Sequence, residues 1–334
     1  MPKRKEASNK GARANAVQNA DDAEWNAFRA GEGVENALDD ALLDDRVSET
    51  LVDAVLREDG NGESSTAIED AQRYDEYTEG LLGLASGIIA ERRTLLGDAY
   101  PFALAGNHLR YIGSKTHVYE FCLAISRLIN YATGYYGRAV TVFEQLSGLV
   151  MSCFLGSAGQ YYHTGYPGSG SAIKAHLPHL NEHMPGEWKL DLETLKEKAN
   201  DGGVDAVVWK RPDERRDLGV GSLVFVGNSG SGKSWYNRNK HRERPSAELP
   251  KILSRPKPRH LHDYLALPFH LYDRQEWVEA CDEGGLVLDR IRIAAIAESQ
   301  DETIWNREVS RLVMTIDEAI QLLDSSPSLA GPVN

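Results

Sequence analysis

The chain has 334 residues, of which 41% are hydrophobic, and its formal net charge at pH 7 is -13. This length and composition predict a globular protein with one large or two modest domains. The acidic balance argues against a protein that coats nucleic acid through bulk positive charge, although it permits a locally basic cleft. No apolar run approaches the about 18 residues of a membrane span, and the N-terminus lacks the apolar core of a signal peptide, so we expect a cytoplasmic protein without membrane contact.

The order of patterns along the chain divides it into four parts. Residues 1–33 are basic and then polar without a sustained period, which predicts a flexible tail. Residues 34–65 show apolar positions at helical spacing among many acids and then a linker composition. Residues 66–300 predict a helical half followed by a core with its sheet at about residues 200–296, and residues 301–334 predict a C-terminal helix and tail.

The middle of the chain predicts helices first and strands later. Apolar residues recur at helical spacing over residues 67–98, 116–133 and 138–155. Residues 156–171 are rich in Gly, Ser and Tyr and predict a loop. Two β-rich runs, in VDAVVW and SLVFV, flank a charged turn and predict a hairpin. Together these elements predict an α/β (α+β) protein in which a mostly helical N-terminal half packs on a small mixed sheet.

A glycine-rich stretch follows the second strand of this hairpin. Its sequence, GNSGSGKS at residues 227–234, satisfies the P-loop pattern G-x-x-x-x-G-K-[ST], in which backbone N–H groups and a lysine cradle phosphates. A later apolar run ends in an acid, as a magnesium-binding Walker B strand does. A P-loop NTPase would bind ATP through these positions: Gly227, Gly232, Lys233, Ser234 and Asp289.

The rest of the chain argues against this nucleotide fold. An open parallel sheet requires several strands after the glycine loop, each reached through a long crossover. Here residues 245–268 are rich in proline, and only residues 283–296 predict a further strand. The short connection upstream also favours an antiparallel neighbour. The P-loop NTPase is therefore kept as the alternative.

Two acidic residues among apolar neighbours suggest a different chemistry. Asp205 stands at the start of VDAVVW, where a carboxylate needs a cation or hydrogen-bond partners, so it is either a metal ligand or a capping residue. Glu144 interrupts the apolar helix RAVTVFEQLSGLVMSCFL. Metal-dependent phosphodiester hydrolysis uses converging carboxylates of this kind, with a lysine to stabilise the transition state.

The segments DGGVDAVVW, GSLVFVGNSGSGKSW and GGLVLDRIRI, preceded by VFEQL, resemble restriction-endonuclease-like (PD-(D/E)XK superfamily) proteins of prokaryotic anti-phage defence. The resemblance implies a cytoplasmic nuclease that hydrolyses phosphodiester bonds, with DNA as the expected substrate and Mg²⁺ or Mn²⁺ as the cofactor. It assigns Asp205 and Glu144 to the metal. The family's polar strand residue falls at Asn228, and its lysine position is taken by Gly230. Lys233, Lys240 and Lys210 are then the candidates for the catalytic lysine, and Lys233 would reach the site with the least strain.

The departures at Asn228 and Gly230 leave further alternatives open. The chain could be a degenerate nuclease, or a non-catalytic scaffold that binds nucleic acid or a partner ATPase. A basic stretch just beyond the glycine loop, in an otherwise acidic chain, predicts phosphate contacts. Its candidate nucleic-acid-binding residues are Arg238, Lys240, Arg242 and Arg244.

Overall fold

A computed structural model describes residues 2–38, 67–128, 137–156, 159–164, 204–211, 222–231, 246–247, 250 and 260–325. These residues form a mixed α/β structure with one three-stranded and one five-stranded sheet, which confirms the predicted fold class at this level. The chain divides into two units, Met1–Ser114 and Lys115–Asn334. None of the described helices is both long and apolar enough to cross a membrane.

The first unit combines two long helices with a small antiparallel sheet. The helices are α1 (Pro2–Ala30) and α2 (Ala67–Leu96), and the strands are β1 (Glu35–Ala37), β2 (Phe102–Ala105) and β3 (His108–Tyr111). The strand order is β1-β3-β2. Helix α2 agrees with the helix predicted over residues 67–98. Acidic helices are predicted after residue 34, but the chain there forms the short strand β1. Residues 39–66 lie outside the described residues.

Helix α1 replaces the predicted N-terminal tail. Four of its five buried apolar residues among the described side chains are alanines, which give little hydrophobic period for a sequence pattern to detect. Two acids on the same helix are neutralised by buried Arg92 of α2, whose guanidinium nitrogens lie 2.7 Å from Asp21 Oδ1 and 2.8 Å from Glu24 Oε2. Tyr100 also donates a hydrogen bond to Glu24. Burial of these charges is tolerated because each carboxylate has a cationic partner.

The second unit contains the five-stranded sheet and the remaining helices. Strands β4 to β6 are antiparallel neighbours, and β7 and β8 add in parallel, so that the strand order follows the chain. The strands are β4 (Gly159–His163), β5 (Ala206–Lys210), β6 (Leu223–Ser229), β7 (His262–Ala266) and β8 (Leu286–Leu288). The helices are α3 (Val118–Leu128), α4 (Gly137–Phe154), α5 (Arg274–Gly284), α6 (Arg290–Glu298), α7 (Glu302–Val309) and α8 (Ile316–Asp324).

The predicted β5–β6 hairpin is confirmed, whereas strands β4 and β7 of the same sheet, and strands β1, β2 and β3 of the first unit, were not predicted. Strands β5 and β6 pair antiparallel with Val208 opposite Phe225. Strand β4 lies within the stretch predicted as a loop, because its sequence GQYYH lacks an apolar alternation. Strand β7 lies within the proline-rich stretch. Within the described part of the chain, two strands rather than one therefore follow the glycine loop, and both run parallel to β6.

Helix α4 packs closely on the antiparallel part of this sheet. Gly148 allows the approach, since a Cβ there would lie 2.8 Å from the Tyr161 ring on β4 and 3.2 Å from Ala206 on β5. Apolar residues of the helix, including Phe143 and Leu146, are fully buried. The close packing brings the polar residues of α4 against the strand ends that carry the candidate site.

Candidate functional site

Asp205 lies in an irregularity of the β5–β6 ladder. Ala206 is in register with Gly227, yet the N–H of Asp205 donates to the same Gly227 carbonyl at 2.8 Å. The Asp205 carbonyl turns the other way and accepts the Thr164 N–H at 2.8 Å. Asp205, which directly precedes β5, and Ala206 thus both oppose Gly227 of β6, which is the geometry of a β-bulge. A bulge redirects a side chain, and here the redirected side chain is a buried carboxylate.

The Asp205 carboxylate connects the sheet to helix α4. Its Oδ2 accepts the backbone N–H of Ser229 at 2.6 Å. The Ser229 hydroxyl lies 3.0 Å from the hydroxyl of Ser147 on α4. The hydrogen bonds therefore run from β5 through the end of β6 to the helix without a gap.

Glu144 lies one turn before Ser147 on the same face of α4. Its Oε2 is 3.2 Å from Nε2 of His163, the last residue of β4. The side chains of Glu144 and His163 are 17% and 13% exposed, so that the pair is sheltered and still open to a small ligand or water. The candidate site consequently comprises five residues at one end of the sheet: Glu144, Ser147, His163, Asp205 and Ser229.

Tyr264 of β7 packs beside the network at this end of the sheet. It is in register with Gly227, and a Cβ at Gly227 would lie 2.0 to 2.3 Å from its ring and hydroxyl. Burial raises the pKa of Tyr264, and the charge of Asp205 adds to this effect while the Ser147 hydroxyl opposes it. Tyr264 is therefore a neutral phenol packed beside the network. The packing explains why residue 227 is a glycine.

Asn228 does not share the face of the network. Gly227 contacts Tyr264 and Ser229 contacts Ser147, so both point toward α4. Side chains alternate along a strand, which directs Asn228 to the opposite face. Ser229 is thus the β6 residue that joins Asp205 to α4. The predicted catalytic Lys233 and the predicted basic residues Arg238, Lys240, Arg242 and Arg244 lie outside the described residues.

The first half of the P-loop pattern is occupied by sheet hydrogen bonds. Strand β6 continues through Gly227 to Ser229, where the Ser229 N–H donates to Asp205. The Gly230 N–H donates to the Ala266 carbonyl at 2.8 Å. These two N–H groups are consequently not available to phosphate in this conformation. Gly232, Lys233 and Ser234 lie outside the described residues.

Asp289, predicted as a Walker B acid under the nucleotide alternative, is the N-cap of helix α6. Its Oδ1 accepts the Arg292 N–H at 3.1 Å, and its Oδ2 accepts the Leu271 N–H at 3.3 Å. Burial raises the pKa of Asp289. Both oxygens therefore have backbone partners, which gives this acid a structural role in starting the helix.

A divalent cation requires several oxygen or nitrogen ligands around one point. Within the described ranges, no group of three or more His, Cys, Asp or Glu side chains is arranged to hold a metal. Mg²⁺ usually retains several waters and uses one or two protein carboxylates together with substrate phosphate. Glu144 and Asp205 are two carboxylates and so fit this mode of Mg²⁺ binding. They do not supply all the ligands of the ion by themselves.

Comparison of the chain with protein-family models, curated proteins and solved structures finds no match. Sequence reasoning identified Glu144 and Asp205 but missed their partners. Ser147 could have been found from its spacing of three residues after Glu144 on a helix. His163 could not, because its strand was predicted as a loop.

Proposed function

We propose that the chain is a divalent-metal-dependent nuclease, or a degenerate relative of one, with Glu144 and Asp205 as the acidic residues of its site. The observation that carries this proposal is the hydrogen-bonded network linking Asp205 to Ser229 and Ser147, with the Glu144–His163 pair one helical turn away. A helix acid beside a strand aspartate is the arrangement that the resemblance to restriction-endonuclease-like proteins implies. A role in prokaryotic defence and a DNA substrate belong to the same proposal.

The residues of the network have separate roles under this proposal. Glu144 and Asp205 would hold Mg²⁺ or Mn²⁺, which when bound neutralises charge on the phosphate and makes water more acidic. The backbone N–H of Ser229 holds Asp205 in one orientation. Nε2 of His163 lies 3.2 Å from Glu144 Oε2 and would hold that carboxylate in one orientation. Burial beneath α4 strengthens each of these electrostatic interactions.

Nucleotide binding is the second candidate. Parallel pairing of β6, β7 and β8 favours it, and Asp289 follows the last of these strands. The N–H groups of Ser229 and Gly230 argue against it because both are already bonded within the sheet. ATP binding by the full chain that is abolished by Lys233→Ala would support this candidate over the nuclease.

The nuclease proposal is tested by plasmid nicking with Mg²⁺ or Mn²⁺. We expect Asp205→Asn and Glu144→Gln to reduce the cleavage rate by at least about 100-fold, since each removes a carboxylate that would hold the metal ion. Asp282→Asn, on exposed helix α5, is the matched control and should cleave like the wild type. EDTA should abolish cleavage in every active variant.

The outcome that would contradict the proposal is cleavage that survives EDTA or that is unchanged in Asp205→Asn. DNA binding without cleavage under any divalent cation would instead indicate the degenerate scaffold. Circular dichroism spectra of the variants separate a chemical effect from loss of fold.

A further inference from the structure

A cleft of about 860 Å³ runs along β4, between helices α4 and α7. Strand β4 is at the edge of the five-stranded sheet, so the cleft follows a sheet edge rather than a sheet face. At one end the cleft reaches His163, whose Nε2 lies 3.2 Å from Glu144. The cleft and the candidate site therefore share His163.

Two arginines give the cleft a positively charged wall. Arg307 and Arg311 line it, and both side chains are 64% exposed. Glu308 lies between them and accepts from Arg307 Nε at 3.0 Å and from Arg311 Nη1 at 2.7 Å. One carboxylate thus orients two guanidinium groups, and one net positive charge remains. Each arginine also has N–H groups that donate no hydrogen bond to any described residue.

Strand β4 forms the other wall, and by strand alternation its neighbouring tyrosines lie on opposite faces of the strand. Tyr162 lines the cleft and is partly exposed, whereas Tyr161 packs on Gly148. Burial raises the pKa of Tyr161 to about 12, with the charge of Glu308 adding to this effect and Arg311 opposing it. Tyr161 is therefore neutral, and neither tyrosine adds negative charge. Arginine forks bind phosphate oxygens and aromatic rings stack on bases, so the two walls complement the two parts of a nucleotide.

We propose that the cleft along β4 holds a single strand of nucleic acid, with backbone phosphates at Arg307 and Arg311 and a base against Tyr162. The volume lies within the range of about 300 to 1,000 Å³ for small-ligand sites, which suits a few nucleotides and not a duplex. This proposal rests on the nuclease function proposed above, because the strand would enter the site at His163.

Binding of a fluorescent single-stranded oligonucleotide of about 12 nucleotides, in EDTA, tests the proposal without requiring cleavage. The double variant Arg307→Gln/Arg311→Gln should raise the Kd at least tenfold. The slope of log K against log salt should fall in magnitude by about 1.4, since each phosphate contact to a single strand contributes about 0.7. Arg274→Gln, an exposed arginine on α5, is the matched control and should bind like the wild type.

Unchanged affinity and salt slope in the double arginine variant would overturn the cleft proposal. A wild-type protein that binds duplex as tightly as single strand would overturn the single-strand assignment. Because the assay needs no catalysis, the two proposals fail separately. Loss of binding in the arginine variant of a chain that does not cleave would retain the cleft and reject the nuclease, and the reverse result would reject only the cleft.

A polyphosphate competitor separates nucleic acid from other polyanions. Tyr162→Ala should weaken oligonucleotide binding about tenfold and leave polyphosphate binding unchanged, because only the oligonucleotide has bases to stack. Tyr162→Phe retains the ring and should bind like the wild type, which controls for an effect of folding. Equal oligonucleotide affinity in Tyr162→Ala would reduce the cleft to a phosphate site and overturn the nucleic-acid assignment.

Discussion

His117 links the start of helix α3 to helix α8 through its imidazole. The residue has a φ of 54°, in the left-handed region, and its Nδ1 lies 2.5 Å from Asp317 Oδ1 on helix α8. Burial lowers the pKa of His117, but the hydrogen bond to Asp317 and the charges of Glu120, Asp317 and Glu298 outweigh burial, so the net effect raises it. Protonation of the imidazole therefore strengthens the link to α8.

The raised pKa of His117 predicts a pH-dependent stability. A group with a folded pKa above its unfolded value of 6.5 contributes stability that is fully present below that value and is lost as the pH rises through the folded pKa. We expect the thermal midpoint to decrease from about pH 6 to about pH 8, and Asp317→Asn to reduce that decrease. Thermal melts followed by circular dichroism measure it. An identical pH dependence in Asp317→Asn would contradict this assignment.

At the same scale, the sequence identified the acids of the candidate site but not their partners. Glu144 and Asp205 stand out because a carboxylate among apolar residues requires a reason. Ser229 does not stand out, because its role depends on a backbone N–H and on the bulge at Asp205. The sequence pattern also favoured Asn228, whereas strand alternation directs Asn228 away from α4 and Ser229 toward it.

At the scale of elements, the glycine that begins GNSGSGKS is explained by strand packing. Gly227 pairs with Tyr264 across β6 and β7, and the phenol ring fills the space that any Cβ would require. A phosphate-binding loop is therefore not needed to account for this glycine. The same contact fixes the parallel register of β7, which the proline-rich sequence before it did not predict.

This contact predicts strong coupling between the two strands. Gly227→Ala should destabilise the protein by about 1 to 3 kcal/mol, as overpacking does in a close-packed interior. In a Tyr264→Ala background the same change should cost less than about 0.5 kcal/mol, because the ring it meets is gone. Urea unfolding of the four proteins in this double-mutant cycle gives the coupling. An equal cost of Gly227→Ala in both backgrounds would show that Tyr264 is not the constraint.

At the scale of the whole chain, the predictable features are those with strong local patterns. The hairpin of β5 and β6 was predicted because both strands are apolar runs around a polar turn, and helices α2 to α4 were predicted from their periodicity. Strand β4 was missed because an edge strand buries little and can be rich in Gly and Tyr. Helix α1 was missed because its packing depends on alanines and on the pairing of Arg92 with Asp21.

For the molecule as a whole, we propose that Glu144 and Asp205 bind one divalent cation together. Titration of the full chain with Mn²⁺, with free Mn²⁺ followed by electron paramagnetic resonance, tests it without nucleic acid. We expect one Mn²⁺ site in the wild type, with a Kd that rises at least about tenfold in both Asp205→Asn and Glu144→Gln, since Mn²⁺ prefers carboxylate oxygens. The Kd should be unchanged in Asp282→Asn. Mn²⁺ binding of equal strength in the wild type and both site variants would contradict it.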